Sequence, residues 1–103
     1  MKSEESEKVV EAYLVKRMKA VGGKAYKWVS PGNVGVPDRL CVFPGGVIRL
    51  AELKGKGGRI SPIQCHKFAE LDSLGVPVSV LWSREDVDRF IGWGADAYAP
   101  PER

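Results

Sequence analysis

A chain of 103 residues, 44% hydrophobic and 28% charged, has the balance of a globular protein, which argues against a disordered chain and against a membrane-spanning one. Its length suits one domain, expected over residues 1–103 with a core over about 4–92 and a tail over 93–103, loose from Ala99 onward. The net charge of +3 is unevenly spread: residues 16 to 67 hold eleven Lys and Arg against only Asp38 and Glu52, a net of +9, while the rest of the chain stands at −6. Such a basic middle suits a polyanion, above all nucleic acid.

Residues 4 to 21 carry Val10, Leu14, Met18 and Val21 at helical spacing, and Gly22-Gly23 ends the stripe. Ala25 to Val29 reads as a short strand, followed by the turn-rich segment Ser30 to Pro37. Asp38 to Phe43 and Val47 to Leu53 read as two strands joined by Pro44-Gly45-Gly46, a three-residue hairpin loop. The glycine-rich loop Gly55 to Arg59 is expected to be flexible. Ser61-Pro62-Ile63-Gln64 then has the marks of a helix start, with serine at the N-cap, proline in the first turn and glutamine placed to close a capping box. That helix should reach about Leu74 and stop at Gly75. Pro77 to Trp82 reads as a fourth strand, and Ser83 to Asp86 opens a short last helix through about Ile91. The predicted order is αβββαβα, an α/β fold with a mixed four-stranded sheet. The crossover through the second helix makes the third and fourth strands parallel neighbours.

Cys41 and Cys65 are far apart in sequence and His66 is the only histidine, so a Cys/His zinc centre is not expected. Both cysteines are read as buried packing residues, and His66 as a helix-surface residue. The acidic N-terminus has no apolar run of the secretory kind, which points to a protein of the host cytoplasm.

Chemistry concentrates at the hairpin. If Phe43 faces Val47 across the loop, counting outward pairs 42 with 48, 40 with 50 and Asp38 with Glu52, so the two carboxylates stand side by side. Glu52 and Lys54, two apart on a strand, share their face. Two adjacent carboxylates repel unless a cation lies between them. Oxygen ligands from two acids suit Mg²⁺ or Mn²⁺, hard ions that keep part of their water shell and accept phosphate oxygens. Lys54 is placed to orient an attacking water and steady charge on a phosphate undergoing hydrolysis. Glu7 and Glu11 project from one face of the first helix, and spacing does not separate them as a further ligand. Gln64 has two roles open to it, as capping partner of Ser61 and as a member of the site. Lys27, Arg39, Lys56 and Arg59 are candidates for the DNA backbone, with a freely moving loop as the alternative for the last two. Tyr26 and Trp28 read as core or partner-face residues before base-stacking ones.

Gly35-Val-Pro-Asp38, Ala51-Glu-Leu-Lys54 after the Pro-Gly-Gly turn, and Ser61-Pro-Ile-Gln64 together resemble the virus-type replication-repair nuclease (VRR-NUC) family of the PD-(D/E)XK superfamily, over nearly the whole chain. The resemblance is to compact stand-alone members of phages and bacteria, and implies a restriction-endonuclease-like core. It further implies that Asp38 and Glu52 hold the metal with a helix glutamate, Glu7 or Glu11, and that Lys54 and Gln64 serve catalysis. By the same resemblance the substrate would be branched DNA such as a four-way (Holliday) junction, cut by a homodimer. No small-molecule cofactor is implied. Phe90, Ile91 and Trp93 are candidates either for a partner face or for closing the core.

Overall fold

The computed structural model describes residues 4–98, with side chains through residue 92. The elements run α1 (Glu7–Ala20), β1 (Lys24–Lys27), β2 (Arg39–Phe43), β3 (Val47–Leu53), α2 (Pro62–Ser73), β4 (Val78–Leu81) and α3 (Arg84–Tyr98). The four strands form one sheet in the order β1-β2-β3-β4. β1 with β2 and β2 with β3 are antiparallel, and β3 with β4 is parallel, as the α2 crossover requires.

The register follows the counted hairpin. Phe43 faces Val47, Val42 faces Ile48 and Leu40 faces Leu50. Gly45 and Gly46 both adopt positive φ, 88° and 86°, which is why glycine occupies both positions of this tight reversal. Because strand side chains alternate, odd-numbered residues face one side of β2 and β3 and even-numbered residues the other.

On the odd side lies the core. Val10, Leu14 and Met18 of α1, spaced to fall on one helix face, pack with Ala25, Cys41, Phe43, Ala51, Leu53 and Leu81 of the sheet and with Val87, Phe90 and Ile91 of α3. Each large aliphatic or aromatic side chain buried here contributes about 1.5–3 kcal/mol. Phe43 and Phe90 meet with ring centroids 5.9 Å apart. Phe90 and Ile91 therefore close the core, one of the two roles open to them, while the Trp93 side chain lies outside the described residues. Ser6 caps α1, its side chain accepting from the Val9 N–H, so the helix starts at Glu7, after the expected start near residue 4.

The even side is different. It presents cross-strand rows: Tyr26 beside Leu40 beside Leu50 beside Val78, and Lys24 beside Val42 beside Ile48. Helix α2 meets this side of the sheet near β4, and none of its residues is buried. This corrects the expectation for Cys65, which sits exposed on α2, whereas Cys41 is fully buried in the core. A cysteine's burial follows the packing of its element, and α2 is packed on one flank only. α3 also runs past its expected end at Ile91 to Tyr98. Gly92 and Gly94 each cost a helix about 1 kcal/mol relative to alanine, and here they do not terminate it. The tail residues 99–103 lie outside the described residues.

Candidate functional site

Asp38 reaches its place through an anchored loop. Asn33 donates its backbone N–H to Ser30 O (2.9 Å) and its side-chain amide to Ser30 Oγ (3.0 Å). Pro37 is buried, and the Trp28 N–H donates to Asp38 O at 2.8 Å, extending the β1–β2 pairing by one step. β2–β3 pairing ends at Arg39 with Ala51, and the next pair outward is Asp38 with Glu52.

These two residues interlock instead of merely facing one another. The Asp38 N–H donates to Glu52 Oε1 (3.2 Å), and the Leu53 N–H donates to Asp38 Oδ2 (3.3 Å). Each carboxylate thus occupies backbone donors at the end of the opposing strand. Glu52 is only 2% exposed and stands apart as the buried charged residue among apolar ones. Burial, and next the charge of Asp38, push its carboxyl up from the ordinary range, opposed by contacts from Lys54 and Gln64.

Lys54 and Gln64 complete a closed set of contacts around Glu52. Lys54 Nζ lies 3.2 Å from Glu52 Oε2 and donates to Gln64 Oε1 at 3.3 Å. Gln64 Nε2 donates to the same Glu52 oxygen at 2.8 Å. The capping box is formed as well: Gln64 N–H donates to Ser61 Oγ (3.2 Å), and the Ser61 N–H donates to Gln64 Oε1 (3.0 Å). The two roles open to Gln64 in the sequence are therefore held at once, and the cap locks the amide that reaches Glu52.

The first two residues of the glycine loop are docked. Gly55 is buried. A Cβ there would stand 2.6 Å from Ser6 C and 2.7 Å from Glu5 O, with Glu7 N closer still, so only glycine lets the loop lie against the start of α1. The Lys56 N–H donates to Glu5 O at 2.7 Å, and Glu5 accepts from the Arg84 backbone N–H (2.7 Å) and from Arg84 Nε (3.0 Å). Residues 4 to 7 thus join the segment after Lys54 to the start of α3. Glu5 and Arg84 lie 79 positions apart, and no sequence spacing signals that pairing.

The two helix glutamates are separated by their partners. Glu11 Oε2 accepts from Arg39 Nη2 at 2.7 Å, while Arg39 Nη1 donates to Ala25 O at 3.1 Å. Arg39 points to the α1 side of the sheet with its side chain 14% exposed, away from the Asp38–Glu52 pair. Glu7 is exposed in the first turn of α1, whose backbone abuts Gly55. Lys27 and Arg59 are exposed, and Lys56 is exposed beside Glu4 at 3.4 Å. His66 is exposed on α2. Among the described residues no group of three or more His, Cys, Asp or Glu is gathered tightly enough to hold a metal ion by itself, and no helix is long and apolar enough to cross a membrane.

No family model matches the chain. The chain is 45% identical over 76 residues to "Putative nuclease p44" of Acyrthosiphon pisum secondary endosymbiont phage 1, an overlap of 74% of this chain and 82% of that protein. Among solved structures it is similar to a VRR_NUC domain, with a TM-score of 0.74 and 28% identity, covering 85% of this chain and 97% of that one.

Proposed function

The chain belongs to the VRR-NUC family of nucleases, and we propose that it is a metal-dependent endonuclease that hydrolyses phosphodiester bonds in branched DNA. The observation that carries this reading is the interlocked Asp38–Glu52 pair with Lys54 and Gln64 gathered on Glu52.

The donor set suits a hard divalent cation. A carboxylate that is 2% exposed and pushed toward its protonated form by burial and by a neighbouring aspartate is relieved by a nearby positive charge. Two carboxylates are few ligands, which fits Mg²⁺ or Mn²⁺, since such ions keep several waters and take substrate phosphate oxygens. Asp38 and Glu52 would hold the ion. Of the helix glutamates we assign the further contact to Glu7, because Glu11 is committed to Arg39 and the first turn of α1 lies against Gly55, next to Lys54. When bound, the ion supplies Lewis acidity at the phosphate and lowers the pKa of coordinated water.

The chain's own groups do the rest. Lys54 Nζ, held between Glu52 and Gln64, orients the attacking water and offsets charge that builds on the phosphate oxygens. Gln64 acts through Glu52, fixing one carboxylate oxygen by a donor that is itself locked by the α2 cap. The Lys56 and Arg59 side chains, exposed beyond Lys54, contact the DNA backbone beside the cut.

Substrate and assembly follow from the single site per chain. Two strands cut symmetrically need two such sites, and closed two-fold symmetry is the commonest oligomer. The even face of the sheet supports a homodimer: Tyr26 and Ile48 are each 49% exposed there, and Ile63 of α2 is 50% exposed. A four-way junction presents two related strands to such a pair. Labelled junction, flap, duplex and single strands are incubated with Mg²⁺ or Mn²⁺, alongside sedimentation of the protein at micromolar concentration. A dimer that cuts the junction in preference to linear duplex is expected. A monomer preferring a one-sided flap overturns the junction reading, and binding without any cutting makes the chain a non-catalytic DNA-binding module.

A further inference from the structure

A second charged feature lies outside the carboxylate site. From residue 12 to residue 37 the sequence has no acidic residue, and the fold brings this stretch together as the C-terminal half of α1 and the edge strand β1. Lys16 and Lys19 are exposed on the helix, and Lys24 and Lys27 are exposed on the strand. Among the described residues none of these four ammonium groups is in an ion pair, whereas the intervening Arg17 is held by Asp88 at 3.1 Å. Lys19 and Lys24 border one cleft of about 320 Å³ with Val15, Gly23 and Ala25. Lys24 Nζ rests 4.9 Å from the centre of the Tyr26 ring, which steadies it by a cation–π contact.

The Lys27 end of β1 is the end beside Asp38, with the Lys27 side chain, like that of Arg39, on the α1 side of the sheet. Lys27 pairs with Arg39 in the sheet, and the next residue, Trp28, donates to Asp38 O. From Lys27 to Lys24 the strand covers about 10 Å. The shared cleft joins Lys24 to Lys19, and Lys16 lies ~4.5 Å back along the helix axis, toward Glu11, which meets Arg39 at the Lys27 end of the sheet. Four ammonium groups with no ion pair among the described residues, gathered on α1 and the edge strand, attract a polyanion backbone and carry no base-reading geometry.

We propose that Lys16, Lys19, Lys24 and Lys27 form a track for the phosphate backbone of one duplex arm across the β1 edge and the C-terminal half of α1. The proposal rests on the nuclease reading above and adds the surface on which a duplex arm rests. Each phosphate neutralised on duplex DNA contributes about 0.9 to the slope of log affinity against log salt.

The test measures binding of a labelled linear duplex, and of its single strand, across a salt series in chelator. The proteins are the full chain and the triple variant Lys16→Gln, Lys19→Gln, Lys24→Gln. For the duplex the slope should fall by about two to three, and each single variant should lower it by about one, so the outcome does not depend on the triple variant alone. Lys67→Gln and Arg89→Gln, whose charges are paired with Glu70 and with Glu85 and Asp86, should leave the slope unchanged. An unchanged slope in the track variants overturns the proposal. So does an equal fall in the two controls, or a fall confined to the single strand. Cutting of the same DNA by the unaltered chain with Mg²⁺ or Mn²⁺ is read separately: a wild-type chain that binds with the expected slope but never cuts defeats the nuclease reading and leaves the track standing.

Discussion

Gln64 is the residue in which folding and chemistry meet, and two substitutions separate its parts. Ser61→Ala removes only the hydroxyl that accepts from Gln64 N–H at 3.2 Å, and loss of such an N-cap costs about 1 kcal/mol. Gln64→Ala removes more: the acceptor for the Ser61 N–H (3.0 Å) and for Lys54 Nζ (3.3 Å), and the donor to Glu52 Oε2 (2.8 Å). A neutral hydrogen bond is worth about 1 kcal/mol and one to a charged partner about 1.5–3 kcal/mol. Because Glu52 relieves part of its loss by taking up a proton, a total near 2–3 kcal/mol is expected. At about 4–8 °C per kcal/mol for a chain of this size, Ser61→Ala should lower the melting temperature by about 4–8 °C, and Gln64→Ala by roughly two to three times as much. Turnover discriminates further. Ser61→Ala should cut within a few-fold of the unaltered chain, whereas Gln64→Ala should lose about 10- to 100-fold, the range typical of groups that orient a metal ligand. Circular dichroism melts and a fluorescent cleavage assay supply both numbers. Equal melting shifts with equal cutting rates would show that Gln64 is only a cap.

Gly55→Ala should be more damaging than Gly57→Ala: its Cβ meets the backbone of residues 5 to 7, whereas at Gly57 nothing lies within 4 Å and only the positive φ of 80° is strained. Overpacking against backbone costs about 1–3 kcal/mol, measurable by denaturant unfolding, and equal losses at the two glycines would contradict the docked loop. Glu52 has its folded pKa raised by burial, so in chelator the folded state keeps a proton that the unfolded state has released. Its favourable contribution is present below the ordinary carboxylate range and lost as pH rises through the raised folded value. Glu52→Gln should remove that slope and stabilise the metal-free protein at neutral pH by about 1 kcal/mol, and parallel stability–pH curves for the two proteins would refute it. Removing Lys56 or Arg59 should lower the salt slope of DNA binding by about one each, whereas loss of cutting with an unchanged slope would put them in the chemistry.

The hairpin was readable because its physics is local. A three-residue loop with two glycines sets the register, strand alternation sets the face, and together they bring Asp38 and Glu52 to adjacent ends before any tertiary contact is known. The start of α2 was readable for the same reason, since Ser61, Pro62 and Gln64 satisfy one another within a single turn. Contacts between distant segments were not readable. Glu11 and Arg39 are 28 positions apart and meet across the sheet, which only the packing of α1 on the sheet decides. Gly55 looked like a source of flexibility because glycine permits motion and close approach equally, and the sequence does not say what approaches. Cys65 misled in a similar way: its type favours burial, but α2 has a neighbour on one flank only.

If Asp38 and Glu52 hold a divalent cation that phosphodiester hydrolysis needs, ion binding and cutting are lost together when either carboxylate is removed. Titration of Mn²⁺ into the purified chain by calorimetry, paired with cleavage of a labelled four-way junction at the same ion concentrations, compares the unaltered protein with Asp38→Asn and Glu52→Gln. Cutting by the unaltered chain should rise with ion occupancy and be abolished by chelator, and both variants should lose ion binding and cutting together while still binding the junction. Undiminished cutting in chelator, or near-normal turnover by either variant, would contradict this role for the two carboxylates.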